Sequence, residues 1–162
     1  MENITIRPIA LADNKDLAII IRQSLAEFGA NKPGTVYYDD TTDHLYELFN
    51  QTKGSVYFTA LQGSTIIGGA GIFPTEALPD GVCEIVKIYL AKEARGLGLG
   101  KRLIEVCLDW AKENGYKSVY LETMPELGKA VTLYEKFGFT YLKQPLGNSG
   151  HTGCDIWMIK QL

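Results

Sequence analysis

One stretch constrains this chain more than any other: an alternating strand pattern that runs through a short link into a glycine-rich turn and then a helix. Val82, Glu84, Val86, Ile88 and Leu90 alternate with Cys83, Ile85, Lys87 and Tyr89, the period of a strand. Arg95-Gly96-Leu97-Gly98-Leu99-Gly100-Lys101-Arg102 follows. Leu99, Leu103, Val106, Cys107, Trp110 and Ala111 then recur at helical spacing up to a stop near Asn114-Gly115. A glycine loop between a strand and a helix N-terminus lets backbone N–H groups converge on an anion, and the helix end adds partial positive charge. With Arg95 and Lys101 or Arg102 supplying full charges, the chemistry suits a pyrophosphate. The bland alternative is a turn whose glycines let the helix pack closely on the sheet.

Two familiar phosphate loops do not fit. A Walker A loop needs glycine where Arg95 stands and Ser or Thr where Arg102 stands. The dinucleotide fingerprint GxGxxG, started at Gly96, needs glycine in place of Lys101; started at Gly98, it needs glycine in place of Leu103. Nucleotide triphosphatase, nicotinamide and flavin readings are therefore disfavoured.

The rest of the chain supplies a mixed sheet and its helices. Ile4, Ile6 and Pro8-Ile9 suggest a short first strand. A helix is expected from Asp13 or Asp16 to Gly29, with Leu17, Ile20, Ile21, Leu25 and Phe28 on one face. A second helix is expected from Asp40 or Thr42, carrying Leu45, Leu48 and Phe49. Ser55 to Leu61 and Thr65 to Phe73 read as a hairpin, and Ser118 to Leu121 as a strand. Ala130, Leu133, Tyr134 and Phe137 trace a last helix closed by Gly138, followed by strands near Phe139 to Leu142 and Cys154 to Ile159. Alternating strands and helices without a linker or repeat predict a single α/β domain over residues 1–162.

Charge and cysteine usage narrow the partners. Sixteen Lys and Arg against 19 Asp and Glu give a net charge of -3, which argues against bulk nucleic-acid binding. The longest apolar run, Leu17 to Ile21, is far short of the roughly 18 residues that span a bilayer, so no membrane partner is expected. Met1-Glu2-Asn3 lacks the start of a secretory signal, and a cytoplasmic location is expected. Cys83, Cys107 and Cys154 form no CxxC pair and read as reduced, mostly buried thiols; Cys83 and Cys107 are read as packing residues. His44 and His151 have no ligand-type neighbour at metal spacing, so no metal is expected.

The pattern Arg-x-x-Gly-x-Gly, present as Arg95, Gly98 and Gly100, resembles that of the GNAT superfamily of acyl-CoA N-acyltransferases. Ala130, Leu133-Tyr134 and Phe137-Gly138-Phe139 are similar to a second signature of that family, and the resemblance covers nearly the whole chain. It implies a mixed, mostly antiparallel sheet flanked by helices and splayed between strands four and five. It implies acetyl-CoA as co-substrate, with Arg95, Gly96, Leu97, Gly98, Leu99, Gly100 and Lys101 around the pyrophosphate. Ile88, Tyr89 and Leu90 would meet the pantetheine arm, with Ala130 and Tyr134 near the thioester. Many members carry asparagine seven residues before the tyrosine, where this chain has Leu127. The implied partner is a small-molecule, peptide or protein amine, and a homodimer is compatible with the family.

Acetylating a lysine-like amine of pKa about 10.4 requires its deprotonation, which costs roughly 4.6 kcal/mol at pH 7. Glu84, eleven residues before Arg95, matches by spacing the general-base glutamate of one branch of the family. It suits equally a strand carboxylate paired with Lys87 or Arg102. Its alternation places it on one face with Val86, Ile88 and Leu90. The resemblance makes Tyr134 the acid that protonates the departing thiolate, and a backbone N–H near Ile88 to Leu90 can face the oxyanion. His151 is an alternative base or a plain loop histidine. Tyr37, Tyr38, Asp39, Asp40 and Asp43 occupy the segment that in the family overhangs the acceptor, and Trp157 is expected in the core. A catalytically idle acyl-CoA-binding module is the rival reading.

Overall fold

The computed structural model describes residues 3–150 and 152–162. The chain opens with β1 (Ile4–Pro8) and α1 (Asn14–Glu27), then α2 (Leu45–Gln51), β2 (Val56–Gln62), β3 (Thr65–Phe73) and β4 (Val82–Leu90). It continues through α3 (Leu99–Glu113), β5 (Ser118–Thr123), α4 (Gly128–Lys136), β6 (Thr140–Leu142) and β7 (Ile156–Gln161). One seven-stranded sheet runs in the order β1-β2-β3-β4-β5-β7-β6. All neighbours are antiparallel except β4 and β5, which are parallel.

That parallel pair is the architectural event. It is paired only at Val82 with Ser118, Cys83 with Val119 and Glu84 with Tyr120, so beyond Glu84 the two strands part and the sheet is splayed. Each face of the sheet has its own core. On one side, Leu17, Ile21 and Leu25 of α1 and Leu45 and Phe49 of α2 pack with Tyr57. On the other, Leu99, Leu103, Ile104, Cys107 and Ala111 of α3 and Tyr134 of α4 pack on Ile72, Ile85, Val119 and Leu121. The i, i+3, i+4 spacing seen in the sequence is what lets each helix bury one stripe. No described helix is long and apolar enough to cross a membrane.

Three expectations change. The second helix begins at Leu45, and Asp40–Asp43 forms a separate 3-10 turn, because the Asp39 carboxylate caps the Thr41 N–H at 3.0 Å and His44 leaves helical geometry at φ -133°. The last strand starts at Ile156 rather than Cys154, and Trp157 on it is half-buried rather than in the core. The strict alternation of β4 breaks. Gly71 faces Val86 but Gly69 faces Tyr89, so β4 carries one extra residue in a bulge, and Lys87 takes φ +52° there. Glu84 and Val86 therefore do not share a face with Ile88 and Leu90; Ile88 and Leu90 pack in the core beneath α3, and Val86 and Tyr89 in the core beneath α1.

Candidate active site

The parting of β4 from β5 opens a cleft of about 760 Å³. Its strand wall includes Glu84, Ile88, Tyr89 and Leu90, its loop wall Arg95, Gly96, Gly98, Leu99, Gly100 and Lys101, and its third wall Ala130, Leu133 and Tyr134 of α4. The sequence-predicted site residues thus meet in one cavity, with one exception. The Leu97 side chain lies outside the lining and is 45% exposed, although its backbone belongs to the same loop.

The loop has the geometry of an anion cradle. Gly96 and Gly98 have φ +80° and +78°, conformations that favour glycine, and Gly98 caps α3 with no side-chain bond of its own. No described residue accepts a hydrogen bond from the backbone N–H groups of residues 96–101, which precede the first internal bond of α3. A Cβ on Gly100 would already meet Leu133 at 3.4 Å and Leu90 at 3.6 Å, so the loop sits tight against the strand and α4.

The cations divide differently from expectation. Arg95 is tied back to α1, donating to Glu27 at 2.9 Å and to the Ser24 hydroxyl at 3.2 Å, with its guanidinium 4.8 Å from the Phe28 ring centre. It also reaches the Leu90 carbonyl at 3.4 Å and so braces the loop against the strand end. Arg102 turns away to the Ile4 carbonyl at 3.4 Å and is not part of the cleft. Adjacent residues on a helix point about 100° apart, so Lys101 faces the cleft when Arg102 does not. Lys129, which sequence reasoning missed, joins Lys101 and Lys87 in the lining; only the folding of α4 against the loop brings it there.

Tyr134 is 5% exposed, packs edge-on against Phe139 at 5.8 Å, and donates its hydroxyl to no described residue. Burial, helped by the Cys107 sulfur, pushes its phenol well above the usual range, so it holds its proton at neutral pH. Burial does the same to Tyr89. Glu84 is 3% exposed and accepts a 2.6 Å hydrogen bond from Thr75 Oγ1. Leu127 lies in the lining where the family often has asparagine, and Cys154 lies there with its thiol pushed up to about 12 by burial. His151, the alternative base, lies outside the described residues.

A second cavity of about 310 Å³ adjoins the first, and the two share Glu84, Val86 and Lys87. Of the acidic and aromatic segment before α2, only Asp39 and Thr41 reach it. Asp43 is taken by a two-pronged contact with Arg22 at 2.6 and 2.9 Å, and the Tyr38 ring is 59% exposed. His44 pairs with Glu47 at the surface.

The fold and cleft define an acyltransferase, and the comparisons agree. Residues 23–139 match the model of the acetyltransferase (GNAT) family, and the chain belongs to that family. It is 37% identical over 158 residues to the uncharacterized N-acetyltransferase YjgM of Escherichia coli (strain K12), covering 96% of this chain and 93% of the relative. An uncharacterized N-acetyltransferase of Schizosaccharomyces pombe is 28% identical over 90% of this chain and 91% of its own. Among solved structures, a GNAT-family acetyltransferase of Staphylococcus aureus superposes with a TM-score of 0.85 at 17% identity, over 98% of this chain and 99% of that one. The protein yncA of Salmonella typhimurium, solved with its cofactor acetyl-CoA, does so at 0.75 and 20% identity, over 98% and 94%.

Proposed function

We propose that the protein transfers an acetyl group from acetyl-CoA to a primary amine in a ternary complex. The observation that carries this reading is one cleft in which the loop N–H groups, which no described residue accepts, the edge of β4 that has parted from β5, and the Tyr134 hydroxyl meet. The donor set fits the group: N–H groups at a helix start for a pyrophosphate, Lys101 and Lys129 for its charge, and apolar lining that includes Leu90 and Leu133 for the arm. Acetyl-CoA supplies an acetyl carbonyl activated by a thiol leaving group.

The chain's own residues then divide the work. Glu84 takes a proton from the acceptor nitrogen as the new C–N bond forms. Ile88 offers its N–H to the carbonyl oxygen that gains charge. Tyr57 donates to the Lys87 carbonyl at 2.8 Å, and in a trans peptide the Ile88 N–H of the same unit points the opposite way. That way lies the side of β5, where no strand pairs with it. Tyr134 gives its proton to the sulfur as the C–S bond breaks. Leu127 offers no amide, so this chain holds the arm there by apolar contact.

The test is acetyl-CoA-dependent formation of N-acetylated product over a panel of amines, read by mass. Product with one amine class supports the reading. Tight acetyl-CoA binding without product on any amine favours the idle binding module.

A further inference from the structure

Lys87 is costly to place where it is. Its φ of +52° is a left-handed conformation that glycine adopts freely and a side chain resists, yet the chain keeps a lysine there. The bulge turns that side chain into the second cavity, where it is 5% exposed. An ammonium has three donors, and among the described residues one acceptor answers them: Asp39 Oδ2 at 3.4 Å. Lys87 is also the sole cation among the described residues lining that cavity. A buried cation with one long contact among the described residues, aimed into a cavity beside the reaction site, is arranged for an anion that a ligand brings.

The rest of the cavity specifies the ligand further. Glu84 lies in both cavities, at the junction where the amine must meet the thioester, and Glu76 and Asp39 bring the carboxylates of the lining to three. Leu48, Phe49 and Phe73 supply an apolar wall, the two rings 5.5 Å apart and edge-on. A volume of about 310 Å³ suits a single small molecule.

Resting on the acetyltransferase reading, we propose that the acceptor is an α-amino acid with an apolar side chain, and that Lys87 is the specificity residue that binds its carboxylate. The amine then faces Glu84, and the side chain lies on Phe49 and Phe73.

Matched pairs test this directly: L-phenylalanine against phenethylamine, and L-leucine against isopentylamine, which differ only by the carboxylate. Binding to the CoA-saturated protein is measured by calorimetry, and acetylation is measured separately. The expected result is at least tenfold tighter binding of an amino acid than of its decarboxylated partner. Lys87→Gly, which relaxes the left-handed backbone and should keep its melting temperature, should bring that ratio to within about twofold. Lys87→Arg should restore part of it. Equal or better binding of the plain amines, no binding of either amino acid, or a preference that survives Lys87→Gly would overturn the proposal. Acetylation of the plain amines without a carboxylate preference overturns it and leaves the acetyltransferase reading standing. A Lys87-dependent preference without acetylation does the reverse.

Discussion

The hydroxyl of Tyr57, a residue of β2, donates to the backbone carbonyl of Lys87 in β4 at 2.8 Å, reaching across the intervening strand β3. It does so by lying over Gly69 and Gly71, where a Cβ would meet its ring at 2.6 and 2.7 Å. The bulge that aims Lys87 and Ile88 is thus held by a fully buried side chain two strands away. Tyr57→Phe leaves the ring and removes the donor. The buried carbonyl then lacks its partner, which costs about 1–3 kcal/mol of stability. The account predicts this loss in a denaturant melt together with a lower kcat, because the Ile88 N–H loses its fixed direction. Acetyl-CoA affinity, set by the distant loop, should stay within about twofold by calorimetry.

Gly98 has open space around it, so a methyl there meets nothing within 4 Å. Its φ of +78° is the constraint. Gly98→Ala should cost about 1 kcal/mol of stability, the strain of a left-handed L-residue. If the backbone relaxes to escape that strain, the loop N–H groups turn away from the cleft. The expected readout is acetyl-CoA binding weakened fivefold or more, measured by calorimetry.

Asp13 sits 3% exposed at the start of α1 and accepts two hydrogen bonds from Arg7, at 2.7 and 3.1 Å, and one from the Ala10 N–H at 2.8 Å. Burial opposes its ionisation, but the Arg7 guanidinium and the Ala10 N–H outweigh it and hold the carboxyl below the usual range. A carboxyl depressed in the folded state contributes its full stability above the unfolded value near about 4, and loses it as pH falls through the folded value. Arg7 is 37% exposed, so water screens part of the attraction. Asp13→Asn should cost about 1–2 kcal/mol at pH 7. The gap between variant and parent should close below about pH 4, as melts across pH would show.

Much of this was legible in the sequence, for physical reasons. The stripes of α3 and α4 and the rhythm of β4 come from one-sided burial, which imposes its period on the residues. The bulge was not legible, because Val86, Ile88, Tyr89 and Leu90 are apolar on both faces and a slip of one residue leaves the pattern looking intact. Its signal lay elsewhere, in the run Gly68-Gly69-Ala70-Gly71, whose missing side chains make room for Tyr57. The start of α2 misread for a local reason: aspartates favour a helix start, but Asp39 spends its carboxylate on Thr41 and on Lys87. Arg102 and Lys129 changed places in the site because membership depends on which elements meet, and no spacing within one helix reveals that.

The central claim, that this cleft passes an acetyl group with Tyr134 as the acid, is tested most directly by acetyl-CoA-dependent turnover of a competent amine by the parent chain and by Tyr134→Phe. Positioned acids are worth about 100-fold or more. The account predicts kcat reduced by at least that factor, with acetyl-CoA affinity and melting temperature nearly unchanged because the buried ring is kept. A Tyr134→Phe variant that turns over at the parent rate would contradict it.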